Sequence, residues 1–296
     1  MEGSTIRVDD LDDARLAPYW NLRERTLRGE SIFIAEGALV VERLLRSPYE
    51  VESILIVRGA QNLDAVLRLA SPDVPIYSVD GRDAGNKLLG FEFHQGVLAL
   101  GRRANIPNLV DGMERYFSGE SRRAPDANAR ALARKNDDFK RRRAWVVLPD
   151  ATKPDNLGLV FRCAAALDAE GVVLGERCCD PFSRRALRVS MGGVLQTPIY
   201  QATNLIEEIQ EVKRRRAIPF YATVLDDEAK ALPDLAREFH ETREAAFVFG
   251  NEYSGLSPEI VALCDQKVII PMRGDVDSLN LGVSVGVLLY EFNRRV

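Results

Sequence analysis

Three stretches of the chain set amides, carboxylates, hydroxyls and a guanidinium at short spacing beside glycines, a combination that can bring charge and bare backbone against a small polar ligand. The first runs Lys153-Pro154-Asp155-Asn156-Leu157-Gly158 and continues to Arg162. Its Pro, Asp, Asn and Gly favour a tight turn, Asn156 can begin a helix, and that helix carries Arg162 about 1.5 turns in, back toward the loop. A capped strand-to-helix turn with a solvated arginine accounts for the same residues. In the second, Phe249-Gly250-Asn251-Glu252-Tyr253-Ser254-Gly255, two glycines permit close backbone approach, and the carboxylate between them can accept hydrogen bonds or orient a cation. Ser257-Pro258 beyond it reads as an ordinary helix start, which explains Ser257 better than Asn251 or Glu252. The third leads from Ile270-Pro271-Met272 through Gly274 to Ser278-Leu279-Asn280, two small polar groups at the exposed amides of an apolar helix. Gly282 and Gly286 inside that helix cost about 1 kcal/mol each, so something must come near them, and close helix packing is the plain alternative.

These loops need elements to hold them. Short β-rich runs alternate with helical ones from residue 32 to about residue 100: strands over 31–35, 51–57, 74–79 and 96–100, helices over 38–45 and near 63–69. This is the pattern of a small α/β domain with crossover connections, assigned to residues 1–105. Residues 106–143 carry breakers and charge and read as a linker, with a helical stretch around 127–135. A second alternation fills residues 144–296, with strands over 144–149, 171–174, 218–224, 245–250 and 267–271 and helices over 157–166 and near 281–292. Its strands are continuous apolar runs, as in a parallel sheet covered by helices on both faces. Ligands gather outside the carboxyl ends of such strands, which directs attention to the loops after Leu148, Phe249 and Ile270.

Composition narrows the classes. With 296 residues, 46% hydrophobic and 28% charged, the chain is an ordinary globular protein of about two domains. Forty Lys and Arg against 44 Asp and Glu leave a net charge of −4, which argues against indiscriminate coating of nucleic acid. No G-x-G-x-x-G, phosphate loop or G-x-S-x-G elbow occurs, so dinucleotide oxidoreductases, NTPases and α/β-hydrolases lose their usual support. Two histidines, His94 and His240, are too few for a His-rich metal centre or triad, and four cysteines with Cys178 and Cys179 adjacent make no disulfide framework. An acidic start without a signal pattern and no long apolar span place the protein in the cytoplasm and away from membranes.

Taken together, the three loops resemble the signature motifs of the SpoU (TrmH) family of SPOUT methyltransferases. That family's first motif, P-G-N-x-G-x-x-x-R-x-A, is matched by Pro154-Asp155-Asn156-Leu157-Gly158 and Arg162-Cys163-Ala164, its second by Gly250-Asn251-Glu252 with Gly255-Leu256-Ser257, and its third by Ile270-Pro271-Met272 with Ser278-Leu279-Asn280. Arg188-Val189-Ser190-Met191-Gly192 is similar to a further family stretch, and Phe33-Ile-Ala-Glu36-Gly37 with His94-Gln-Gly96 resembles the substrate-binding domain that precedes many SpoU domains. Asp155, Asp168 and Gly282 depart from the pattern, and Asp155 adds negative charge where RNA phosphate must enter.

The resemblance implies an α/β SPOUT domain with a C-terminal trefoil knot, a homodimer, S-adenosylmethionine as cofactor, and methylation of a ribose 2′-hydroxyl, in ribosomal RNA ahead of transfer RNA. A noncatalytic RNA-binding or ribosome-assembly role on the same fold is the alternative. No metal is implied. Arg162 would stand closest to the reaction, positioned by Asn156 and Glu252, with Ser278 and Asn280 shaping the nucleotide and cofactor site. Phe249, Gly250, Asn251, Ile270, Met272 and Leu279 would wall the cofactor. Because a guanidinium in water keeps its proton, two versions stay open: Arg162 as base, or as anchor of a phosphate that assists deprotonation. Of three cationic clusters, 140–143, 184–188 and 213–216, the second, with Arg184, Arg185 and Arg188, is favoured for RNA contact because of its neighbouring motif.

Overall fold

The computed structural model describes residues 5–22, 30–118, 142–239, 241–273 and 278–294. Two sheets organise them. In the first, β1 (Ile6–Arg7), β2 (Ile32–Glu36), β3 (Val51–Val57), β4 (Ile76–Val79) and β5 (Val97–Arg102) stand in the order β1-β4-β3-β5-β2. Between them in sequence lie α1 (Ala38–Leu45), α2 (Asp64–Leu69) and α3 (Gly81–Leu89). β1, β4 and β3 are parallel, as crossover helices require, whereas β5 runs antiparallel to both β3 and β2. Helix α3 has no counterpart in the sequence reading, because its glycines and charges mask the apolar face. Gly85 is there for contact, since a Cβ would sit 2.7 Å from Val57 Cγ2.

The second sheet comprises β6 (Arg143–Leu148), β7 (Gly171–Leu174), β8 (Ile199–Gln201), β9 (Phe220–Thr223), β10 (Lys230–Ala231), β11 (Glu244–Phe249) and β12 (Gln266–Ile269), ordered β10-β12-β9-β11-β6-β7-β8 with every pair parallel. Alternate residues of the central strands serve opposite faces. Ala144, Val146, Leu148, Ala245, Phe247 and Phe249 face α5 (Pro154–Ala166), α8 (Leu232–Glu238) and α10 (Leu281–Asn293). Trp145, Val147, Ala246 and Val248 face α4 (Leu109–Ser118), α7 (Leu205–Arg215) and α9 (Pro258–Leu263). Burial on both faces explains why these strands read as unbroken apolar runs. The sequence reading has no counterpart for α7, whose buried Leu205, Ile209 and Val212 recur at helical spacing among many charges, nor for β8 and the short α6 (Arg184–Val189), which are too brief to show a period.

Helix α4 falls where the sequence reading has linker. Leu109, Met113 and Tyr116 recur at helical spacing and are buried in the second core, and the Leu109 amide donates to the buried Glu208 carboxylate at 2.8 Å. The expected helix over 127–135, together with Lys140 and Arg141, lies outside the described residues.

The two sheets share one apolar cluster, which runs from Phe33, Val40 and Leu44 to Phe182 and Leu187. Phe33 and Phe182 meet at 5.0 Å between ring centroids. Beside them the Arg103 guanidinium forks onto Asp180 at 2.8 and 2.7 Å, and Arg184 reaches Glu36 at 2.8 Å.

Candidate active site

Because every strand of the second sheet is parallel, the loops after β6, β9, β11 and β12 open on one rim. A single hydrogen-bonded line crosses it. Asn280 Nδ2 donates to Asn156 Oδ1 at 3.0 Å, and Asn156 Nδ2 donates to Glu252 Oε1 at 2.5 Å. The line ties the three loops together, one residue from each. The other oxygen of Glu252 receives the Lys153 ammonium at 3.4 Å, and the same ammonium donates to the Tyr253 hydroxyl at 3.1 Å. These contacts hold Lys153 above its ordinary pKa, the tyrosine bond contributing most.

Local folding explains each position. α5 begins at Pro154, with Lys153 as its N-cap, so Asn156 does not start the helix as the sequence suggested. It lies within the first turn, buried, and its amide is free to bridge the other loops. Asn280 does cap, with Oδ1 accepting from the Gly282 amide at 2.9 Å while its Nδ2 makes the bridge. Ser257 caps α9, as expected from Ser257-Pro258. The second loop is pinned by an antiparallel bridge in which Asn251 N donates to Gly255 O at 3.1 Å and Gly255 N to Asn251 O at 2.8 Å. Only glycine fits at residue 250, where a Cβ would lie 2.4 Å from the Gly255 carbonyl carbon. The Asn251 side chain ties the loop to the segment just after β6 by donating to Asp150 O at 3.3 Å.

A cleft of about 970 Å³ opens at this rim, and Phe249, Gly250, Asn251, Ile270, Met272 and Leu279 all line it, with Glu252 and Ser278. Thr223 to Asp227, after β9, form a further wall that the sequence reading missed. The carboxyl-end rule applied to every strand would have included them. Lys153 and Tyr253 were also passed over, although both lie inside the quoted loops. Residues 274–277 of the third loop are outside the described residues.

Arg162 is not part of the hydrogen-bonded line. Six residues beyond Asn156 on a helix, it points about 120° away, is exposed, and makes no hydrogen bond or ion pair among the described residues. The glycines of α10 face α5 instead: a Cβ at Gly282 would lie 2.4 Å from Leu159 Cβ, and one at Gly286 3.2 Å from Cys163 Sγ. What comes near them is a helix.

The arginine clusters are largely engaged by the protein itself. Arg184, with a side chain 22% exposed, pairs with the buried Glu36, donates to Leu22 O at 3.0 Å and lies 4.5 Å from the Phe91 ring. It is a bond between the two sheets rather than a free surface cation. Arg188 approaches the same Glu36 at 3.7 Å but remains half exposed. Arg185 pairs with Asp155 at 2.6 Å, which holds that carboxyl below its usual range. In the third cluster Lys213 binds Leu263 O and Asp265, Arg214 and Arg215 pair with Glu211, and Arg216 lies over Phe117, so the solvated or packed face is the better description there. Arg142 donates to Phe292 O at 2.6 Å.

Fold and loops together define an α/β protein with a ligand cleft at the carboxyl rim of a parallel sheet. The sequence model of the SpoU rRNA Methylase family matches residues 143–290. A 23S rRNA (guanosine-2′-O-)-methyltransferase, RlmB, of Acinetobacter baylyi is 32% identical over 262 residues, covering 88% of this chain and 96% of that protein. An uncharacterized tRNA/rRNA methyltransferase of Mycobacterium tuberculosis is 32% identical over 295 residues, covering 97% of this chain and 91% of its own. Among solved structures, an AdoMet-bound rRNA methyltransferase from Sinorhizobium meliloti shares the fold with a TM-score of 0.72, at 22% identity over 97% of both chains. The chain belongs to the SpoU rRNA methylase family.

Proposed function

We propose that this protein transfers a methyl group from S-adenosylmethionine to a ribose 2′-hydroxyl of RNA, with ribosomal RNA the favoured substrate. The line Asn280–Asn156–Glu252 at the rim of a walled cleft, in a member of this family, carries the reading. The cleft suits the cofactor. Its volume is that of a small-molecule site, Phe249, Ile270 and Leu279 offer an apolar slot for a flat ring, and Thr223 and Ser278 offer polar partners. Phe249, Gly250, Asn251, Ile270, Met272 and Leu279 would hold it. When bound, it supplies an activated methyl group on a positively charged sulfur.

The chain's own residues then provide geometry and charge. Glu252, braced by Asn156 and Lys153, presents a fixed carboxylate at the rim, and Asn280 sets the orientation of the Asn156 amide. In-line displacement demands that donor and hydroxyl be held at near-attack distance, which rigid loops on strand ends can achieve. We assign Arg162 to the phosphate of the target nucleotide. Its exposed fork, unpaired among the described residues, suits bidentate phosphate binding, and the bound phosphate assists removal of the hydroxyl proton. Ser278 lines the cleft and completes the nucleotide site.

Ribosomal RNA is favoured because a first domain, assigned to residues 1–105, would add RNA contacts ahead of the methyltransferase domain at 144–296, and because the Acinetobacter relative is named for 23S rRNA. Arg185 and the exposed part of Arg188 are the phosphate contacts of the central cluster, with Arg184 holding the domain behind them. A homodimer is supported by Val283, Val287 and Tyr290, which α10 exposes at helical spacing. A trefoil knot in the C-terminal part is the expectation that goes with membership of the family. Among the described residues no helix is long and apolar enough to cross a membrane, and a cytoplasmic location fits four free cysteines.

Incubation with radiolabelled S-adenosylmethionine and, in parallel, unmodified ribosomal and transfer RNA tests the proposal. Label entering ribosomal RNA faster is the expected result. Label confined to transfer RNA would move the substrate, and none in either would contradict the activity.

A further inference from the structure

Tyr253 is 84% exposed, yet it is not loose. It stands at the tip of the loop closed by the Asn251–Gly255 bridge, and its amide donates to Asn251 Oδ1 at 3.0 Å. Lys153, from the first loop, reaches over it, with Nζ 4.6 Å from the ring centroid and 3.1 Å from the hydroxyl. The ring therefore lines the cleft, braced by a cation, with most of its surface in solvent. Folding gains little from it, because so little of it is buried. A pre-ordered aromatic costs little entropy when a partner lands on it, and a neighbouring ammonium is the natural companion for a chain that carries a phosphate at every step.

We propose that Tyr253, braced by Lys153, is a stacking platform for an unpaired base of the RNA substrate, with the Lys153 ammonium meeting a phosphate of the same segment. The proposal rests on the reading that this rim handles RNA, and it adds a substrate class: RNA whose nucleotides at the cleft are single-stranded or splayed out. A base inside a duplex already has both faces covered, whereas an unpaired one can be received on an aromatic ring.

The test uses the full-length protein, fluorescence anisotropy, and a short fluorescein-labelled oligoribonucleotide of mixed sequence, single-stranded or annealed to its complement. Tyr253→Ala is expected to weaken single-strand binding about tenfold, while Tyr253→Phe, which keeps the ring, stays within about twofold of the parent. Duplex binding should be unmoved by either, and Lys153→Ala should flatten the salt dependence by about one phosphate contact. Unchanged single-strand affinity in Tyr253→Ala would overturn the platform, as would equal losses for single strand and duplex. So would a calorimetric loss of S-adenosylmethionine affinity as large as the loss for RNA. The two readings fail separately. A wild-type protein that binds single strands through Tyr253 but transfers no methyl group overturns the proposed activity alone, and methyl transfer by Tyr253→Ala with an unaltered KM for RNA overturns the platform alone.

Discussion

Arg162 and Cys178 show how differently two side chains of one domain are used. Arg162 is exposed and makes no hydrogen bond or ion pair among the described residues, so its removal is expected to cost the fold almost nothing. Arg162→Ala is therefore expected to abolish methyl transfer while stability in urea stays within about 0.5 kcal/mol and calorimetry finds cofactor affinity nearly intact; full activity in that variant would refute the phosphate assignment. Cys178 is buried, donates to Leu148 O at 3.1 Å, and burial pushes its thiol from 9.0 up to about 11. Between those two values the unfolded chain has given up a proton that the folded chain keeps, so stability falls as pH rises through that window. Thermal denaturation from pH 8 to 11 should show the fall, shallower in Cys178→Ala; identical slopes would mean the thiol contributes nothing. At this scale the sequence pointed to part of the cleft lining, because glycine, asparagine and acid cluster where strands end, but not to the wall from Thr223 to Asp227. It did not expose that Arg184 is enclosed between the sheets, because a charge run looks the same whether it meets phosphate or a buried Glu36 from a distant segment.

Several strands and helices fall where the sequence patterns place them. β3 and α1 fall on the expected residues, and β6, β7, β11 and α10 within a residue or two, since apolar runs and a capped apolar helix are local signals. α4 and α7 were lost for the opposite reason: their exposed faces carry enough charge to read as linker or solvated cluster, while their apolar faces pack on strands far along the chain. The pairing of α5 with α10 depends on glycine. Gly282→Val places its Cβ against Leu159, where backbone as well as side chain must give, and is expected to destabilise the protein by about 1–3 kcal/mol in urea denaturation. Gly286→Ala meets only the Cys163 sulfur and should cost less. Equal effects of the two would show that the helices do not close at Gly282.

Across the whole molecule, the Glu36–Arg184 pair joins the first sheet to the second within a shared apolar cluster. Removing Arg184 leaves the buried Glu36 carboxylate with only the longer Arg188 contact at 3.7 Å, so Arg184→Ala is expected to destabilise by about 1–3 kcal/mol, and the double variant with Glu36→Ala by less than the sum of the singles. Strict additivity in that cycle would mean the two residues do not interact. The proposed knot and dimer lie beyond local pattern reading: threading follows from chain order in space, and a partner copy would leave only an exposed stripe such as Val283, Val287 and Tyr290. Transfer to the ribose oxygen itself is read by alkaline hydrolysis of RNA labelled by this protein. A methylated 2′-oxygen cannot attack the adjoining phosphate, so label is expected in an alkali-resistant dinucleotide from ribosomal RNA. Label recovered only in mononucleotides would place the methyl group on a base and contradict it.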